Sequence, residues 1–165
     1  MTTTSTTATS AGLLVLRLGV GATMAAHGTQ KLFGWFDGGG LDGTERFFAA
    51  SGYPSAKAFA VLAGVSETLG GIGLILGLIT PLAAAAILGT MLNAIAVKWG
   101  GFFSPKGVEY ETILAVAAAS LALTGAGGFA VDRFVPGLRD YKIGYGLAAI
   151  ALAFVAAGIT LLIRN

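Results

Sequence analysis

The chain has 165 residues, of which 55% are hydrophobic and only 11% charged, with 26 glycines, no cysteine and a formal net charge of +2; its mean hydropathy is +0.82. A soluble domain carries roughly 25% charged residues, so this composition cannot cover a water-facing surface and reads instead as a bundle of transmembrane helices. The few scattered basic residues give nucleic acid nothing to bind, and a chain without cysteine has no disulfide, thiolate ligand or thiol redox chemistry.

Residues 1–10 are mostly threonine and serine and read as a disordered tail. They carry no basic residue ahead of a short apolar core, so they do not read as a signal peptide. The apolar stretch 11–28, which contains Arg17, is the first predicted membrane helix. The linker 29–56 follows, with Gly38-Gly39-Gly40 expected as loop. Thr44 to Ser51 is expected as a short helix capped by Thr44 and ended by Gly52. Its Phe47-Phe48 pair, with Trp35 and Tyr53 nearby, suits the headgroup layer, where amphipathic and aromatic groups are favoured.

Runs of about 20 apolar residues, the length that crosses roughly 30 Å of hydrocarbon, then recur at 57–79 and 81–98. Thr80 as N-cap and Pro81 in the first turn form a helix-start signal, so these two segments are predicted to form a tight hairpin. Segment 111–125 is short and becomes a full span only if it starts near Val108. After a linker at 126–142 containing Pro136-Gly137, segment 143–163 forms a last span. The expected fold is all-α: an interfacial loop at 29–56 within a four-helix membrane core over 11–132, then a linker and fifth transmembrane helix over 133–165.

The chemistry lies in polar residues that a bilayer should exclude. Arg17 and Glu67 both fall inside apolar segments, where an unpaired charge costs at least about 3 kcal/mol. At 1.5 Å per residue, Arg17 is roughly 16 Å before Gly28 and Glu67 roughly 15 Å past Lys57. The two are therefore predicted to meet in the bundle interior, as an ion pair or through one bridging group.

Antiparallel helices also bring His27, Gln30 and Lys31, then Asn93 and Lys98, then Glu109, Tyr110 and Glu111 to the long-linker side. The candidate ligand-binding set is His27, Lys31, Glu67, Asn93, Arg17 and Glu111. The plainer readings are a structural Arg17–Glu67 pair, interfacial lysine anchors, carboxylates favoured at a helix N-terminus, and Asn93 as interhelical glue. No metal site is expected, because the acidic stretch 37–45 lacks the ligand spacing of a calcium loop. Basic residues flanking the long-linker side (Lys31, Arg46, Lys57, Lys98, Lys106, Arg164) outnumber those opposite (Arg133, Arg139, Lys142), which places that side in the cytoplasm by the positive-inside rule.

The string His27-Gly28-Thr29-Gln30-Lys31-Leu32-Phe33-Gly34 resembles the HGxxKLFG signature of the DoxX family. Phe47-Phe48 with Gly52, Glu67 before Gly70-Gly71, Leu76-Gly77-Leu78, Thr80-Pro81, Asn93-Ala94, Glu109-Tyr110-Glu111 and Gly125-Ala126-Gly127 follow in that family's order. The resemblance covers about Leu13 to Asp132. It implies a multi-pass protein of the bacterial inner (plasma) membrane with a four-helix core, from which the fifth helix is a departure. The family takes its name from a relationship to DoxD, a subunit of a thiosulfate:quinone oxidoreductase. Some of its members sit in membrane complexes with a superoxide dismutase and a sulfurtransferase.

The resemblance thus implies a membrane subunit of a redox or oxidative-stress complex, an accessory to a quinone-linked oxidoreductase if it serves an enzyme at all. A single histidine cannot give bis-histidine haem ligation, and no glycine-rich dinucleotide loop is present, so no covalently bound cofactor is expected. A quinone or another lipid-like molecule is the expected ligand; for a quinone, His27 and Lys31 are the expected donors to a ring carbonyl, Glu67 the proton relay, and Trp35 or Phe33 the ring contacts. Beside the lipid bilayer, the expected partners are soluble redox proteins and a second copy of the chain. Two other readings stay open: a non-catalytic anchor that docks a partner through the long linker, and a small transporter with Arg17 and Glu67 lining its path.

Overall fold

The computed structural model describes residues 2–105 and 107–164, with side chains described from residue 6 onward; Met1, Lys106 and Asn165, which entered the tail, charge-count and C-terminal expectations, lie outside the described residues. Six α-helices follow in order: α1 Thr2–Phe33, α2 Gly40–Ala50, α3 Ala56–Leu76, α4 Thr80–Lys98, α5 Glu109–Thr124 and α6 Ile143–Leu162, with a 3₁₀ turn at Val131–Phe134 and no strand among the described residues. Stretches within α1, and α3, α4 and α6, are long and apolar enough to cross a membrane. Helix α5, with 16 residues, reaches roughly 24 Å and is the short member of the bundle.

Packing runs inside out relative to a soluble protein. Small side chains fill the interior, including Ala60, Ala84, Ala85, Ala118, Ala122 and Ala153, while Val15, Leu69, Ile113, Val116, Phe154 and Ile159 point outward. Lipid tails are as apolar as leucine, so close approach of backbones, and not burial of large side chains, holds such helices together. Helix α1 lies antiparallel on α3 through glycine contacts: a Cβ at Gly28 would fall 2.5 Å from the Thr68 nitrogen, and one at Gly71 equally close to the Ala25 nitrogen. Helix α4 is the centre, packed on α3, α5 and α6.

Three local expectations are corrected. The tail is helical from Thr2, because serine and threonine lose only a few tenths of a kcal/mol each in a helix that the following segment has already nucleated. Ser10 is buried and its Oγ accepts the Gly128 N–H at 3.0 Å. Helix α2 begins at Gly40, so Thr44 is no N-cap; its hydroxyl bonds the Gly40 carbonyl at 2.8 Å and the Lys31 carbonyl at 3.2 Å. Thr80 does not cap α4 either: Ile79 holds the cap position in a left-handed conformation, and the capping carboxylate is Asp132, which accepts from the Ile79 and Thr80 amides at 2.6 and 3.0 Å.

Alternation of the helices puts the C-termini of α1, α4 and α6 and the N-termini of α3 and α5 at one end, beneath α2. The Arg164 guanidinium donates to the Ser51 carbonyl at 2.7 Å, tying the end of α6 to the end of α2. At the opposite end lie the α3–α4 turn and the 3₁₀ segment.

Candidate functional site

The predicted meeting of Arg17 and Glu67 does not occur. Glycine contacts set the register of α1 on α3, with Gly28 seated against Gly64 and Thr68 and Gly21 against Gly71. Gly28 therefore lies within α1, which continues to Phe33, and not at its end. That shift sends Arg17 to the far end of α3. Its Nη1 donates to the Leu74 and Ile75 carbonyls, each at 3.1 Å, and its Nη2 donates to the Phe129 carbonyl.

Leu74 and Ile75 lie in the last turn of α3, where carbonyls lose their regular helical partners and a cation is favoured; the Leu74 carbonyl also accepts the Gly77 N–H at 3.1 Å. Gly77 ends that helix with φ +63° and leaves room for the guanidinium, since a Cβ there would fall 2.4 Å from Nη1. Asp132 acts on Arg17 as the countercharge while capping α4, and its own amide donates to the Gly77 carbonyl at 2.9 Å. Arg17 thus belongs to a structural clasp, not to a ligand site.

The other five candidates converge. A cavity of about 900 Å³ is lined by His27, Lys31, Glu67, Asn93 and Glu111 together with apolar residues of α2, α3, α4 and α6. Two ion pairs stand in its wall: Lys31 Nζ to Glu67 Oε2 at 2.6 Å, and Lys98 Nζ to Glu111 Oε1. Glu67 is only 2% exposed while Lys31 is 30% exposed, so the lysine bridges a buried carboxylate to the open end. One oxygen of the second pair, Glu111 Oε2, is buried with no hydrogen-bond partner among the described residues.

His27 has a defined role in this wall. Its Nδ1 lies 2.9 Å from Gln30 Oε1, and the Gln30 amide is oriented by donating to the Phe36 carbonyl at 3.1 Å. Nδ1 must then carry a proton. In the neutral ring Nε2 is left to accept from the Tyr110 hydroxyl, 2.8 Å away.

Asn93 sits on a second polar cluster, where its Oδ1 accepts from Tyr53 at 3.0 Å and from Thr160 at 2.8 Å and its Nδ2 donates to the Gly89 carbonyl at 3.0 Å. Burial raises the Tyr53 phenol above its ordinary range, keeping it a neutral donor. Phe48 and Phe59 pack on Tyr53 with ring centroids 5.0 Å away.

The expected ring contacts, Phe33 and Trp35, are misplaced. They pack on each other at a tilt, with ring centroids 5.4 Å apart, are largely exposed, and do not line the cavity; the phenyl and phenol rings that do are Phe47, Phe48, Tyr53, Phe59 and Tyr110. Sequence reasoning also missed Thr160, because α6 was read as an addition to the core. The available signal was the stripe Gly146, Ala149, Ala153, Ala157, buried in α6, whose spacing continues to Thr160 and marks a face packed on another helix.

A family model described as DoxX matches residues 12–100. A Bacillus subtilis (strain 168) protein named "Putative oxidoreductase CatD" is 33% identical over 125 residues, covering 75% of this chain and 87% of that protein. No solved structure matches the chain.

Proposed function

The chain belongs to the DoxX family, and on that premise we propose that this multi-pass membrane protein binds a quinone in its cavity as an accessory subunit of a redox system. The observation that carries this reading is a charge-balanced polar end on an otherwise apolar cavity: two lysines facing two glutamates, with His27 and Tyr110 beside them. Such an end offers both donors and acceptors with no excess charge, which suits a neutral ring carbonyl and gives no preference to a phosphate. The relative's name supports a redox setting, since oxidoreductase is said of that protein.

Lys31 and the His27–Tyr110 pair would hold one ring carbonyl. Phe48, Tyr53 and Phe59 would face the ring, and the carboxyl of Glu67 would hold or release a proton as Lys31 turns from it to the ring carbonyl. A quinone bound there supplies two-electron chemistry that the chain's own side chains lack. The setting we propose is the bacterial plasma membrane, with the cavity end toward the cytoplasm. The absence of native cysteine makes a single Ser104→Cys label a direct reading of that sidedness.

The test of the ligand is purification in mild detergent followed by mass spectrometry of extracted lipids and quinones. Quinone should accompany the native chain and fall roughly tenfold in Glu67→Gln and His27→Ala, with thermal midpoints little changed. Equal quinone content in all three, or none in the native chain, overturns the reading.

A further inference from the structure

From the shape of the cavity we infer that its ligand carries a long apolar tail, and that the tail lies in a lateral groove along α4. The inference rests on the quinone reading for the head and adds where the tail must go. Leu82, Ala86, Gly89, Asn93 and Val97 line the cavity. These positions recur every three or four residues, so they form one continuous face of the helix. Between Leu82 and Lys98 that face is roughly 24 Å long, most of the roughly 30 Å depth of the hydrocarbon core.

The groove has walls and an opening. Helices α3 and α6 both pack on α4 but scarcely on each other, so Leu62 and Ala63 of α3 and Leu152 and Ala156 of α6 stand on either side of the stripe. Leu82, near the start of α4, and Leu152, midway along α6, are each 52% exposed, which leaves the far half of the groove open sideways to lipid. The near end runs into the Lys31, Glu67, Lys98 and Glu111 side chains. A tailless head needs only that polar end; a head bonded to a chain can seat there only if the chain has a path out, and this stripe, with Ala86 and Gly89 at its middle, is that path.

Two probes separate head from tail: a benzoquinone bearing a decyl chain and the same ring without it, titrated against the full chain in lipid nanodiscs at fixed lipid. Ala86→Phe fills the floor of the groove, and Ala156→Phe, at an exposed position, fills its wall without touching the core. Each should weaken the decyl probe roughly tenfold and leave the tailless ring within about twofold. Comparing variant with native chain cancels partition of the probe into the bilayer. If the tailless ring binds and neither phenylalanine discriminates between probes, the groove is overturned while the head site stands. If the decyl probe depends on the groove yet ignores Glu67→Gln, the groove stands and the quinone-head reading falls. Binding of neither probe to the native chain overturns both.

Discussion

The two ends of the bundle each hold buried charge, and they use it differently. At the clasp, Arg17 and Asp132 spend their hydrogen bonds on main chain: carbonyls at the end of α3 and of Phe129 for the arginine, amides at the start of α4 for the aspartate. At the cavity, Lys31, Glu67, Lys98 and Glu111 bond to one another and face open volume. Intramembrane charge is a functional signal by default; the difference between these ends shows that its meaning depends on the partner. A charge whose hydrogen bonds all go to main chain fixes the fold, whereas a charge paired with another side chain beside a cavity remains available to a ligand.

Mutation should separate the two ends, and the largest effect belongs to the clasp. Arg17→Leu removes the guanidinium donors of the Leu74, Ile75 and Phe129 carbonyls and a countercharge of Asp132, so a loss of about 3–5 kcal/mol is expected from three charge-assisted hydrogen bonds, read as failure to accumulate or a much lower melting temperature in detergent. Asp132→Ala removes the cap of α4 and should cost about 1–2 kcal/mol by the same measurement. A melting temperature unchanged in both variants would erase the distinction.

At the cavity the order of effects reverses between stability and binding. Glu67→Gln keeps an acceptor for Lys31, which is partly exposed and can be hydrated, and should cost clearly less stability than Arg17→Leu, while quinone content falls. A destabilisation matching that of Arg17→Leu would mean the cavity pair is structural too. The smallest effect is expected at Tyr53→Phe, which removes one interhelical donor to Asn93; about 0.6 kcal/mol is typical of such bonds in membrane bundles, and chemical denaturation in mixed micelles can resolve it.

Much of the site was legible before any coordinates. The side of the membrane to which His27, Lys31, Asn93 and Glu111 belong follows from counting antiparallel spans, and all four line the cavity. The place of Arg17 is not legible in the same way, because depth counted from Gly28 treats as a helix end a residue that lies within α1, and the place of Trp35 is not, because proximity in sequence to Lys31 is not proximity in space. Asp132 was invisible as a cap, since 52 residues separate it from the Thr80 amide it satisfies.

The sequence by itself determined that this chain lives in lipid as an all-helical bundle, where its spans lie and which ends share a leaflet. Those properties follow from hydropathy and chain direction, which are local. Only the tertiary structure decided which charge meets which. That choice depends on helix register, and register here is set by backbones meeting at Gly21, Gly28, Gly64 and Gly71, contacts whose pairing no single segment encodes.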